Sequence, residues 1–426
     1  MLILAQNPET FDEILDDFHK LSKEAFIKRL ELYDRKIFAS IDQQRFELIR
    51  LDERTILTTQ GIITFKRRYY YDHENEQYVY LLDNQLGIPK NVRLSNELIL
   101  KILDLASIMT YAEVGKHLSP EFNLSKSTIW RIINDTVIET YYDTEINRGD
   151  LKVHVQVDEK FINMHEPKKR DEKCQNKNKK RYYTVTIFAG KESYGKKGKN
   201  RLLNKTLISS ANLKSLKEKV NYLLKHRYKV QDDEKIFISG DYASYIQTFA
   251  DDLDVNATYV PDKYHTYKAI KDALPDFVLD DLTLNNPDFQ AYLIKTTKHL
   301  DDVNIAKVRR ALRINPHIFQ AYLDPEYLGC SQEGQNSHVY APRFGKYANR
   351  FHPLTIEKLA LVREAHAMGA TIKVCHSKRL IEEKIDLTKC PEISFSLNEP
   401  DRYVLDTRGM KPQTRKIFDE IKYGRI

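Results

Sequence analysis

A mixed α/β fold is what the sequence predicts, and three observations carry the prediction. Between residues 151 and 265 short apolar runs alternate with helical spacings. Two of those runs end in an acid, Val153-His154-Val155-Gln156-Val157-Asp158-Glu159 and Lys235-Ile236-Phe237-Ile238-Ser239-Gly240-Asp241. The stretches on either side, 95–145 and 266–328, show apolar residues at three- and four-residue steps without a strand pattern. Alternating β-branched and aromatic runs read as strands and the longer spacing as helices.

Residues 7 to 50 carry Phe11, Ile14, Leu15, Phe18 and Leu21, then Phe26, Ile27, Leu30, Tyr33 and Ile37. This spacing predicts two amphipathic helices in a region 1–53, with a face suited to packing or to pairing with a second copy. From Arg54 the composition shifts. Thr55–Thr59, Ile62–Tyr71 and Gln77–Leu82 read as a small antiparallel meander over 54–94, turning at Gly61 and near Asn75. Lys66, Arg67 and Arg68 beside a tyrosine cluster are candidates to hold a phosphate backbone, or the tyrosines are half-buried core.

The region 95–145 returns to helix. Leu98, Ile99, Ile102, Leu103 and Ala106 mark one helix and Tyr111, Val114 and Leu118 a short second one. After Ser119-Pro120 a third begins, with Ser125 as its N-cap. That is a helix-turn-helix-like order, in which Ser125, Lys126, Ser127, Thr128 and Arg131 would face DNA while Ile129, Ile132 and Ile133 hold the helix.

In 151–265 the order is three strands (the first from Val153 with Asp158 and Glu159 at its end, then 182–189 and 205–210), a helix (Leu213 to His226), a strand (236–239), a helix and a fifth strand (257–261). This is the order of a ribonuclease H-like core. Its first and fourth strands are neighbours, so Asp158 and Asp241 are expected side by side at strand ends. A strand-end carboxylate is rigidly aimed at a hard cation such as Mg²⁺, and two of them suit a two-metal phosphoryl-transfer site with Mn²⁺ able to substitute. Aspartates at such places also form turns and cap helices. Residues 266–328 are expected to form an all-helical insertion, and 329–426 to hold a third carboxylate. Glu333, between polar residues and Gly334, is the best candidate there, with Glu326, Glu357 and Glu364 competing.

A charge of +7 on 426 residues is only moderately basic, but 167–201 is dense in lysine and arginine, including Lys179, Lys180 and Arg181. Such density suits phosphate contact, or is a solvated loop. There is no run of 18 apolar residues and no basic start before an apolar stretch at Met1–Ala5. The expectation is a soluble, cytoplasmic, nucleoid-associated protein with no membrane partner. Cys174, Cys330, Cys375 and Cys390 form no CxxC pair, which argues against disulfides and structural zinc.

Phe65-Lys66-Arg67-Arg68-Tyr69-Tyr70, Val157-Asp158-Glu159, Ser239-Gly240-Asp241, Asp262-Lys263-Tyr264-His265 and Glu333-Gly334-Gln335-Asn336-Ser337-His338 together resemble the ISLre-type insertion-sequence transposases of bacteria, within the DDE superfamily. The resemblance runs from about residue 25 to 370. It implies cleavage of double-stranded DNA at the terminal inverted repeats of an element, then attack of the freed 3′-hydroxyl on target DNA. It also implies two Mg²⁺ ions held by Asp158, Asp241 and Glu333, Asp262, His265 and His338 in auxiliary roles, and a homodimer or larger assembly on DNA. A catalytically silent DNA-binding protein or regulator is the alternative.

Overall fold

The computed structural model describes residues 11–139, 144–164, 179–194, 199–345 and 351–376. The basic residues Lys168, Lys169, Arg170, Lys173 and Lys177, and Cys174 and Cys390, lie outside them. The chain divides into two compact units, one drawn from Met1–Ile102, Tyr111–Val137 and Val374–Ile426, the other from Leu103–Thr110 and Ile138–Lys373.

The first unit opens with α1 (Phe11–Ser40). Two helices were expected here, and the structure has one. Leu21-Ser22-Lys23-Glu24-Ala25 holds no glycine or proline, so nothing stops the first helix before the second apolar run begins. The helix gives way to a turn in which Asp42 accepts from the N–H of Gln44 (2.8 Å) and of Phe46 (2.9 Å). Strand β1 (Phe46–Thr58) then starts earlier than the composition shift suggests, since Leu48, Ile49 and Leu51 are exposed on it among charged residues and show no clean in-and-out alternation. It pairs antiparallel with β2 (Gly61–Asp72), which pairs with β3 (Gln77–Val79). The turn between β1 and β2 falls at Gly61, with φ of +107°, and Leu81-Leu82, expected as strand, begin helix α2 (Leu81–Leu86). Phe46, Ile56, Ile63, Phe65 and Tyr70 bury themselves against Ile27, Leu30, Tyr33 and Ile37 of α1.

Helices α3 (Asn96–Ala106), α4 (Tyr111–Lys116) and α5 (Lys126–Asp135) follow, then a short β4 (Thr136–Glu139). Ser125 caps α5 by accepting from Thr128 N–H. A Cβ on Gly115 would sit 2.8 Å from the Leu124 carbonyl, so only glycine lets the loop close this tightly on α4.

The second unit is built on a five-stranded mixed sheet. Its strands are β5 (Val153–Asn163), β6 (Lys179–Ala189), β9 (Thr206–Ser210), β10 (Ile236–Gly240) and β11 (Ala257–Pro261), in the order β11-β10-β5-β6-β9. β5 and β9 both run antiparallel to β6, which lies between them, while β10 runs parallel to both β5 and β11. The first and fourth strands of the core are therefore neighbours, as expected, and the arrangement is consistent with a ribonuclease H-like core. Between β6 and β9 the chain forms a further hairpin, β7 (Lys191–Tyr194) with β8 (Lys199–Leu202), where the sequence suggests only a loop.

Period-two alternation sorts β5 onto two faces. Val153, Val155 and Val157 join Val185, Ile187 and Ile208 under α6 (Leu213–His226) and α7 (Ser244–Asp251). On the other face Phe237 and Val260 are covered by α8 (Lys263–Ala273), α9 (Asp281–Leu284), α10 (Pro287–Thr296) and α11 (Val303–Ile314). The region after residue 262 is thus helical, as its spacing suggests. A 3₁₀ turn (Gln320–Leu323), α12 (Gln332–Gln335), a π turn (Asn336–Tyr340), α13 (Ala341–Phe344) and α14 (Pro353–Met368) complete the unit. Among the described residues no helix is long and apolar enough to cross a membrane.

Candidate active site

Asp158 does not end its strand. β5 continues to Asn163 in register with β6, but its pairing with β10 stops at Gln156↔Ser239. Asp158 therefore emerges just past the last pairing of β5 with β10, on the same face as His154 and Gln156. Asp241 follows β10 directly. A Cβ on Gly240 would lie 2.5 Å from the Val157 carbonyl and 2.7 Å from Ile246 Cδ1, so the glycine is what allows the two acid-bearing strands to approach. Asp262, following β11, donates its backbone N–H to the Gly240 carbonyl at 2.7 Å.

These groups line one cavity of about 510 Å³ together with Glu159, His265, Lys268, Lys307 and Glu333. Of the four glutamates left open by the sequence, Glu333 is the one that reaches it. Glu357 accepts from Ser210 Oγ (3.1 Å), and Glu364 is buried with Tyr340 and Ser209. Glu333 is exposed, on the four-residue α12. His338 is exposed too and is not part of the lining; its carbonyl accepts from Arg363.

The carboxylates differ in how they are held. Asp158 Oδ1 accepts from the Glu159 N–H and Oδ2 from Asn336 Nδ2, both at 2.7 Å. Burial, and after it the charge of Asp241, still push its pKa up to about 6. Burial and Asp241 likewise raise Glu159, which sits 3.5 Å from the Arg181 guanidinium. Asp241 Oδ1 accepts from Ala243 N–H at 2.9 Å, and Tyr259 donates to its carbonyl. Asp262 Oδ1 accepts from His265 N–H at 3.0 Å as the N-cap of α8. The Asp262/His265 spacing is thus the spacing of a helix cap.

The donor set at Asp158 and Asp241 is oxygen only, which suits a hard divalent cation, and the mutual repulsion that raises Asp158 is what a cation would relieve. Those two carboxylates fit an ion. Among the described residues, however, no three His, Cys, Asp or Glu side chains come together closely enough to hold one. Glu333 lines the cavity without closing the group.

The cations expected to meet DNA are placed unevenly. Lys66 is exposed, but Arg67 is 5% exposed, ion-paired to Asp83 and stacked 3.5 Å over Tyr80. Arg68 pairs with buried Asp34 and lies over Phe38. Internal partners therefore take up Arg67 and Arg68, contrary to the expectation of a three-residue phosphate contact. On α5, Ser125, Lys126, Ser127 and Arg131 are exposed and Thr128 is half-buried, while Ile129, Ile132 and Ile133 are buried. Trp130, 43% exposed on the same outer face, is a candidate the apolar spacing hid, because a tryptophan inside a helix reads as core. Lys179, Lys180 and Arg181 are exposed at the start of β6, opposite Asn163, Ile162 and Phe161. Phe161 is 52% exposed at the rim of the cavity.

The sequence reading also missed what docks the Glu333 segment. Leu328 N–H donates to His154 Nε2 (3.2 Å), Gln156 Nε2 to the Gly329 carbonyl (3.0 Å), and Ser331 N–H to Gln156 Oε1 (3.1 Å). His154 is stacked between Phe188 and Phe237, and burial lowers its pKa to about 4, so it accepts as a neutral ring. A polar residue inside an apolar strand was the available signal for both contacts.

Relatives exist in Caldanaerobacter subterraneus subsp. tengcongensis. One UPF0236 protein is 26% identical over 347 residues, covering 77% of this chain and 71% of the relative. A second, whose name joins eleven locus designations, is 26% identical over 347 residues, covering 77% and 70%. A third is 25% identical over 354 residues, covering 78% and 68%. Among solved structures, the Drosophila P element transposase strand transfer complex aligns with a TM-score of 0.26 and 10% identity, over 68% of this chain and 84% of that one. A family model described as "Uncharacterised protein family (UPF0236)" matches residues 7–278, more than half of the sequence, and the chain belongs to that family.

Proposed function

We propose that this chain is a transposase that cleaves DNA at insertion-sequence ends and transfers the strand into target DNA, with Mg²⁺ or Mn²⁺. The observation that carries the reading is the pair Asp158 and Asp241, delivered into one cavity from adjacent parallel strands. A curated relative whose single name joins eleven locus designations in one organism supports it, since many copies in one genome are what a mobile element leaves.

A divalent cation held by Asp158 and Asp241 would supply Lewis acidity for phosphoryl transfer and would make a water or hydroxyl easier to deprotonate. The protein's own part is positional. Asp158 and Asp241 hold the ion and Glu333 approaches from α12. Lys268 and Lys307, which line the same cavity, are suited to hold phosphate oxygens. The outer face of α5, with Lys126, Trp130 and Arg131, is suited to a DNA groove. Lys66, Lys179 and Lys180 add further surface cations for the backbone.

One observation favours the alternative of a DNA-binding protein without catalysis: the third carboxylate does not join the other two. Labelled DNA carrying the flanks of the encoding gene decides between them. The transposase reading expects nicking at the flank with Mg²⁺ or Mn²⁺, none with EDTA, and none with Asp158→Asn or Asp241→Ala, while both variants still bind the DNA. Tight binding without a cut in any metal would overturn it in favour of the silent protein.

A further inference from the structure

The stretch that carries Glu333 is joined to Asp158 by a run of donors pointing one way. Gln332 Nε2 donates to Thr184 Oγ1 (3.1 Å), the Thr184 hydroxyl to Asn336 Oδ1 (2.8 Å), and Asn336 Nδ2 to Asp158 Oδ2 (2.7 Å). Gln332, Thr184 and Asn336 are all buried. A hydroxyl has one proton to give, and Thr184 has two acceptors in reach, Asn336 Oδ1 at 2.8 Å and the Asp158 carbonyl at 3.2 Å; given to the nearer, it fixes which way round the Asn336 amide sits, with the NH₂ facing the carboxylate. With Glu159 N–H on the other oxygen, both oxygens of Asp158 are held from the protein side.

We infer that Asn336 is a positioning residue that aims Asp158 at the cation, and that Thr184 orients Asn336. The inference rests on the reading of Asp158 as a cation ligand. Asn336 and Glu333 share one short segment docked on β5, so the same contact that orients the first carboxylate places the third beside the cavity. Partners of this kind, which touch a ligand and not the metal, are typically worth about 10–100-fold in metal affinity.

Mn²⁺ binding to the full chain, followed by calorimetry, tests this, with thermal melting in EDTA as the control for folding. Wild type binds and Asp158→Asn does not. Asn336→Ala and Thr184→Val weaken the affinity by about 10–100-fold, while Thr184→Ser, which keeps the hydroxyl, binds like wild type. If Asn336→Ala fails to fold, Thr184→Val against Thr184→Ser carries the comparison. Wild-type affinity in both Asn336→Ala and Thr184→Val, with Asp158→Asn still inactive in binding, overturns the positioning role alone. Binding by wild type that Asp158→Asn leaves intact overturns the ligand reading itself, and the inference with it.

Discussion

Asp158 accepts two hydrogen bonds and still holds its proton more tightly than an ordinary aspartate, because burial and the neighbouring Asp241 outweigh them. A carboxyl whose pKa is higher folded than unfolded binds more protons in the folded state. The stability it contributes is complete below its ordinary value of 3.8 and is lost as pH rises through about 6. In EDTA, Asp158→Asn is therefore expected to melt higher than wild type above pH 6, with the gap closing near pH 4; a lower melting point at pH 7.5 would show that the charged group is not strained there. Added Mn²⁺ should raise the wild-type melting temperature and leave the variant unchanged. Arg67 is also a buried charge, its pKa pulled down to about 10 by burial, and it is ion-paired to Asp83 and stacked over Tyr80. Arg67→Ala strands a buried carboxylate, and chemical denaturation should record a loss of about 3–5 kcal/mol. A loss of DNA affinity at unchanged stability would instead return Arg67 to the DNA-contact role.

At the scale of elements, Gly240 governs how β10 meets β5. A methyl group there would drive into the Val157 carbonyl and Ile246, so Gly240→Ala should cost about 1–3 kcal/mol, read from urea unfolding, and should weaken Mn²⁺ binding by moving Asp241. Unaltered binding in a folded variant would mean that strand approach does not set the carboxylate spacing. The sheet order was legible because β5, β6, β9, β10 and β11 are apolar runs fenced by turn residues, and α6 was legible from Leu216, Val220, Leu223 and Leu224. The continuation of β5 past Asp158 was harder to see, since beyond Gln156 it pairs on one side only and its residues are mixed in polarity. The meeting of Asn336 with Asp158 was illegible for another reason. The two are 178 positions apart, and a single buried amide leaves no periodic trace.

At the scale of the whole molecule, the +7 chain carries exposed cations on α5 and at the start of β6, and the cavity of the second unit holds the two aspartates on which the proposed phosphoryl transfer rests. The chain belongs to the UPF0236 family, while the proposed chemistry rests on two aspartates. Diffraction from crystals of the full chain soaked in Mn²⁺, recorded at the manganese edge, tests that pair most directly. If Asp158 and Asp241 are the ligands, an anomalous peak stands between them, with an oxygen of each at about 2.0–2.6 Å. Manganese bound elsewhere on the chain, with that position empty, would contradict the metal site and the transposase reading built on it.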